Sequence, residues 1–115
     1  MGEPVKNGFA TAKGERWSKL AARAVADRNL RDSAVRVLAA LGIHAGTDGT
    51  AWPSQELIAV VTGYRRETVN RAISLLLKLG YLERYRKRTS RGHLRNVYRL
   101  LYPAYSPPRL ARPEL

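Results

Sequence analysis

One segment constrains this chain more than any other. The run Pro53-Ser-Gln-Glu-Leu-Ile-Ala-Val-Val-Thr-Gly63 is a short apolar-periodic stretch that stops at a glycine. Tyr64-Arg-Arg-Glu-Thr-Val-Asn-Arg-Ala-Ile-Ser-Leu-Leu-Leu-Lys-Leu-Gly80 then opens on arginines and stops at a second glycine. Apolar residues at offsets of three and four predict a helix in each stretch, and a glycine between them takes the positive φ of a helix end and turn. Pro53 suits the first turn of the earlier helix, where a missing N–H costs nothing. Leu57, Ile58 and Val61 are its expected buried face. The second helix is expected over residues 66–79, with Val69, Ala72, Ile73, Leu76 and Leu77 buried and Leu75 outside the main stripe.

The segments on either side have their own periods. Tyr81, Leu82 and Tyr85, then Val97, Tyr98 and Leu100, mark two β-like runs around the polar stretch 87–96, which predicts an antiparallel hairpin with a long tip. Upstream, residues 32–44 carry a helical stripe of Ala34, Val35, Leu38, Leu41 and Ala45, and Asp32 and Ser33 suit its start. Gly46-Thr-Asp-Gly-Thr50 is a turn-rich loop, with a short strand expected over Thr50, Ala51 and Trp52. Between Glu15 and Arg28, Trp17, Leu20, Ala21, Ala24 and Val25 recur at helical spacing. This predicts an amphipathic helix that docks on the domain or on a second subunit. Residues 1–14 are expected to be a flexible arm, 15–102 one domain, and 103–115 an extended, proline-rich tail. The fold class is therefore mainly α with a small β-hairpin and an additional N-terminal amphipathic helix.

Charge narrows the partner. The 115 residues hold 21 Lys or Arg against 9 Asp or Glu, a formal net charge of +12. Between Gly63 and Arg99 there are eleven Lys or Arg and two Glu, so the excess sits on the arginine-led helix and the hairpin. A basic cluster of this kind calls for a polyanion, with nucleic acid first and an anionic membrane second. No apolar run approaches the roughly 20 residues of a membrane span, and the first residues lack a signal-peptide core. The expectation is a cytoplasmic, nucleoid- or plasmid-associated bacterial protein without membrane attachment. Cysteine is absent, which excludes disulfides and Cys-type zinc sites. His44 and His93 are far apart with no carboxylates grouped beside them, so no metal and no cofactor is expected. An enzyme is not expected either: there is no Ser/His/Asp set and no phosphate-cradling glycine loop. No small-molecule ligand is expected.

At about 100° per residue the apolar stripe of the second helix centres on Val69, Ile73 and Leu76. Glu67, Arg71, Ser74 and Lys78 lie opposite it, with Tyr64, Thr68 and Asn70 on the flanks. Arg65 and Arg66 precede or begin the first turn and project forward. Arginine forks onto guanine, asparagine pairs with adenine, and glutamate accepts from cytosine. Tyr64, Thr68, Ser74, Lys78 and Ser54 suit the sugar-phosphate backbone, and a helix N-terminus itself welcomes phosphate. Along the hairpin, Arg84, Arg86, Lys87, Arg88, Arg91 and Arg95 are suited to phosphates, and Arg91 or His93 to a minor groove. The plainer alternatives are a solvated helix face, with Arg71 paired to Glu67 at i,i+4, and an edge hairpin charged to avoid aggregation.

These residues resemble a bacterial winged helix-turn-helix domain of the kind shared by plasmid and phage replication proteins, small regulators and the GntR-type reader head. The matching stretches are Asp32-Ser-Ala-Val-Arg-Val-Leu-Ala-Ala-Leu41, Trp52-Pro-Ser-Gln-Glu-Leu-Ile58, Gly63 to Ile73 and Leu79-Gly-Tyr-Leu-Glu-Arg84. The resemblance covers residues 30–101 and implies base contacts from Arg65, Arg66, Glu67, Asn70 and Arg71, with hairpin ("wing") contacts around Arg91 to Arg95. It departs at Arg65, where the family places a capping Ser or Thr. The function it implies is a sequence-specific, DNA-binding transcriptional regulator acting as a homodimer. The alternative is a plasmid or phage replication or partition factor on repeated origin sites. A protein partner through Trp17, Leu20, Ala24 and Val25 is a third expectation.

Overall fold

The computed structural model describes residues 17–46, 49–51 and 53–108. Its elements run α1 (Ala22–Ala26), α2 (Asp32–Ile43), β1 (Thr50–Ala51), α3 (Gln55–Thr62), α4 (Arg66–Lys78), β2 (Leu82–Arg88) and β3 (Leu94–Leu100). No helix among the described residues is long and apolar enough to cross a membrane. The strands form one antiparallel sheet in the order β1-β3-β2, with Thr50 opposite Arg99, and Leu82 opposite Leu100 at the base of the hairpin.

The core lies where α2 meets α4. Ala34, Val37, Leu38, Ala40 and Leu41 of α2 are buried together with Val69, Ala72, Ile73 and Leu76 of α4. Each large aliphatic side chain placed there contributes roughly 1.5–3 kcal/mol of apolar transfer. Ala51, Tyr81, Leu82, Tyr98 and Leu100 close the core from the sheet side. Val37 and Ala40 belong to the core although the predicted stripe omitted them. Val35, Ala45 and Leu77, predicted as buried, are half-buried at its edge. Leu75 packs against the core from the flank of α4.

The face assigned to α3 needs correction. Only Ile58 and Thr62 of this helix are buried, whereas Leu57 is 40% and Val61 45% exposed. An eight-residue helix laid across two longer ones has room to bury only one narrow edge. Pro53 stands before the helix rather than in its first turn. Ser54 is the N-cap, its Oγ accepting the Leu57 N–H at 3.1 Å. At the other end Gly63 takes φ +80°, a conformation that glycine adopts without penalty. The Thr62 hydroxyl donates to the Ile58 carbonyl at 2.7 Å and accepts the Tyr64 N–H at 3.2 Å. The turn between α3 and α4 is thereby held from both sides.

The N-terminal region differs most from expectation. The helix predicted over 15–28 is reduced to Ala22–Ala26, and residues 17–21 are not helical. They cross α2 at Gly42, where an added Cβ would meet Ser18 Oγ at 2.8 Å and the Lys19 carbonyl at 3.0 Å. The Ser18 hydroxyl donates to the Ala39 carbonyl, and the Tyr102 hydroxyl to the Lys19 carbonyl at 3.2 Å. These tertiary bonds outweigh the helical propensity of the segment. The expected partner face is accordingly divided: Ala24 is buried in the core of its own domain and Leu20 is packed against that core, while Trp17 and Val25 are 62% and 71% exposed. The expected arm and most of the expected tail lie outside the described residues, as do Glu15 and Trp52; residues 101–108 are neither helix nor strand.

A polar clasp ties this region to the start of the hairpin. The Tyr81 hydroxyl donates to Asp27 Oδ2 at 2.7 Å, and Asp27 Oδ1 accepts the Asn29 N–H at 2.9 Å. The Tyr81 bond is the main reason the Asp27 carboxyl is held below its ordinary 3.8. Burial, then the bond to Asp27, pushes the Tyr81 phenol up to about 12. Asp27, with its value depressed, stabilises the fold above its unfolded value and loses that contribution as pH falls through the folded one. Tyr81, with its value raised, contributes fully below its unfolded value of 10 and loses the contribution as pH rises towards 12. Tyr81→Phe is therefore expected to lower stability most between about pH 5 and pH 10, and least at either extreme. Urea unfolding of both proteins across that range measures the difference; a gap independent of pH would break the assignment.

Candidate nucleic-acid interface

The arginine-led end of α4 and the outer half of the hairpin meet in one groove. Its walls are Pro53, Ser54 and Gln55 at the start of α3, Arg66 at the start of α4, and Leu94 to Asn96 and Tyr98 of β3, around about 330 Å³. Strand alternation puts Leu94, Asn96 and Tyr98 on one face of β3, and Arg95, on the other face, borders the groove as well. Leu82, Arg84, Arg86 and Arg88 share one face of β2, opposite Leu100, Tyr98, Asn96 and Leu94 respectively. Leu82, Tyr98 and Leu100 are buried against the helices, and the same face farther out carries Arg86, Arg88 and Asn96, of which Asn96 lines the groove with Arg66. Lys87 and Arg95 lie opposite each other on the reverse face, with Glu83, Tyr85 and Arg99. There Arg99 is 3.8 Å from Glu83.

The hairpin is longer and its tip tighter than expected. Strand pairing continues to Arg88 opposite Leu94, so residues 89–93 alone form the tip. Thr89 N–H donates to the His93 carbonyl at 2.7 Å, Gly92 N–H to the Thr89 carbonyl at 2.9 Å, and His93 N–H to Thr89 Oγ1 at 3.2 Å. Arg88 is turned onto the tip, its Nη1 donating to the Gly92 carbonyl at 2.8 Å. This closed tip presents Arg91 and His93 to solvent at the end of the hairpin.

The exposed face of α4 holds Glu67, Asn70, Arg71, Ser74 and Lys78, with Arg65 and Arg66 exposed at its start. Asn70, Arg71, Ser74 and Lys78 line a shallow hollow on this face. Arg71 makes no ion pair with Glu67, or with any described residue, so the alternative of a mutually neutralised face does not hold for it. Arg65 is the N-cap and offers no side-chain bond to the helix. Thr68 and Tyr64 are half-buried flanks, and Tyr64 packs against the core. Ser54 is spent in part on its own helix, because its oxygen is the cap of α3.

A family model for a helix-turn-helix domain matches residues 28–82. Residues 28–82 are a helix-turn-helix DNA-binding domain. The match spans α2, α3 and α4 and the start of β2, and the sheet that follows makes the whole a winged helix-turn-helix, with α4 in the position of the recognition helix and β2–β3 in that of the wing. Comparison with curated proteins and with solved structures returns no match. Arg84, expected among the hairpin's phosphate contacts, lies on the inner face of the wing. Within the helix-turn-helix, one group escaped sequence reasoning. Arg31 and Ser33 meet Thr68 and Arg71 around a second hollow; no periodic signal in the sequence brings those positions together.

Proposed function

We propose that this chain is a sequence-specific regulator of transcription that binds double-stranded DNA, with α4 in the major groove and the wing on the adjacent backbone and minor groove. The observation that carries the reading is the shared groove: Arg66 and Leu94 to Asn96 line one concavity, so a single duplex touches both elements. Arg65, Arg66, Glu67, Asn70 and Arg71 are the proposed base readers, at the start and on the exposed face of α4. Ser54, Tyr64, Thr68, Ser74 and Lys78 are the proposed backbone contacts beside them. Arg86, Lys87, Arg88, Arg91, His93 and Arg95 are the proposed wing contacts, joined by Arg84. Arg88 reaches phosphate only while sharing its guanidinium with the Gly92 carbonyl.

Selection of bound duplexes from a random library, followed by gel shifts on the winner, tests this. The expected product is a defined motif; two half-sites about one helical turn apart would mark a homodimer. Equal affinity for the winner and for scrambled DNA at physiological salt would refute the proposal.

A further inference from the structure

The hollow between α2 and α4 lies on the flank of the recognition helix, in contrast to the groove that α4 and α3 form with the wing. It encloses about 500 Å³ and is lined by Arg31 and Ser33 of the α2 start and by Thr68 and Arg71 of α4, over Ala34 and Ala72. Arginines from two different elements and two hydroxyl-bearing residues line this concavity, and the neighbouring carboxylates, Asp32 and Glu67, do not. Neither arginine forms an ion pair with a described residue. Two exposed arginines lining one hollow, with no carboxylate among its lining residues, offer a place for an anion.

The major groove is about 12 Å wide and walled by two sugar-phosphate backbones. A helix lying in it meets base edges with its crest and a backbone with each flank. One flank of α4 is joined to the wing. We infer that the Arg31–Ser33–Thr68–Arg71 hollow is a clasp for a phosphodiester on the opposite wall of the groove, so that α2 closes the DNA site from the other side. The inference rests on the proposed placement of α4 in the major groove. Arg31 and Ser33 are thereby backbone-binding residues, and Arg71 serves both a base edge and the phosphate beside it.

Arg31→Ala and Ser33→Glu separate this clasp from a structural role. Arg31 gives no side-chain bond to α2, and a negative residue in the first turn favours the helix, so both variants are expected to fold. Binding of each to the selected duplex is measured over a chloride series. Arg31→Ala is expected to bind about tenfold more weakly, with the log–log salt slope shallower by about 0.9 and the ranking of single-base duplex variants unchanged. Ser33→Glu is expected to lose at least as much. A scan of single neutral methylphosphonate linkages should find one position that weakens the wild type and leaves Arg31→Ala indifferent. If the wild type binds and both variants match it in affinity and slope, the clasp is wrong and the major-groove reading stands. If base preference changes with Arg31, the contact is not to phosphate. Competition by inorganic phosphate beyond chloride at equal ionic strength would make the hollow a free-anion site instead. A wild type that ignores duplex DNA overturns the clasp and the reading beneath it together.

Discussion

Truncating Leu76 to alanine is expected to remove a large share of this domain's stability. Leu76 is fully buried in α4 at the centre of the contact with α2. Leucine-to-alanine changes in such sites cost about 2–5 kcal/mol, the lost transfer energy plus the cavity left behind. Small domains hold only about 5–15 kcal/mol in total. A fall in melting temperature of more than roughly 10 °C should follow, and denaturant unfolding by circular dichroism measures it. Val60→Ala is the control: at 74% exposed it has little burial to lose and should shift the transition only slightly. If the two variants were equally stable, α4 would not be docked through its Val69, Ile73 and Leu76 stripe, and the position of its exposed face would have no physical support.

Replacing Arg66 with alanine is expected to weaken binding to the selected duplex by about 10- to 100-fold and to relax preference at one base pair. The magnitude is that of one bidentate guanine contact, roughly 1–3 kcal/mol. Arg66 opens α4 and lines the groove shared with β3, so nothing else on α4 reaches that position. Arg86→Ala should behave differently. Opposite Asn96 on the inner wing face, it is placed for phosphate, so its loss should weaken all duplexes alike and flatten the salt slope by about 0.9. Anisotropy titrations of both variants against the selected duplex and its single-base variants separate the two patterns. A uniform loss for Arg66→Ala, with no change in base preference, would remove it from the base readers.

The parts of the fold that were legible in the sequence share one property: their buried face is a strong period within a single element. The helix over residues 66–78 carries Val69, Ala72, Ile73 and Leu76 on one side and charge on the other, and its flanking glycines mark its limits. Gly63 and Gly80 were readable as punctuation because stopping and turning a helix are local chemistry. The misreadings arose where neighbours decide. The segment 17–21 has helical spacing, yet its bonds to Ala39 and Tyr102 hold it in another conformation. Leu57 and Val61 look like a core face, but a short helix resting on its Ile58 edge leaves them in solvent. The hairpin's polar outer strands carry no hydrophobic alternation, so their pairing as far as Arg88 and Leu94 was invisible.

From residue order alone came the helix, turn, helix and hairpin, the buried stripe of α4, and the concentration of cations after Gly63, because periodicity, capping and charge are properties of neighbours along the chain. Tertiary structure decided which cations converge. Arg66 shares a groove with the wing, and Arg31 a hollow with Arg71, across separations of roughly thirty and forty residues, because both α2 and the sheet pack on α4. A periodic pattern determines which side of an element is buried. Only the packing of one element on another determines what stands next to the side left open.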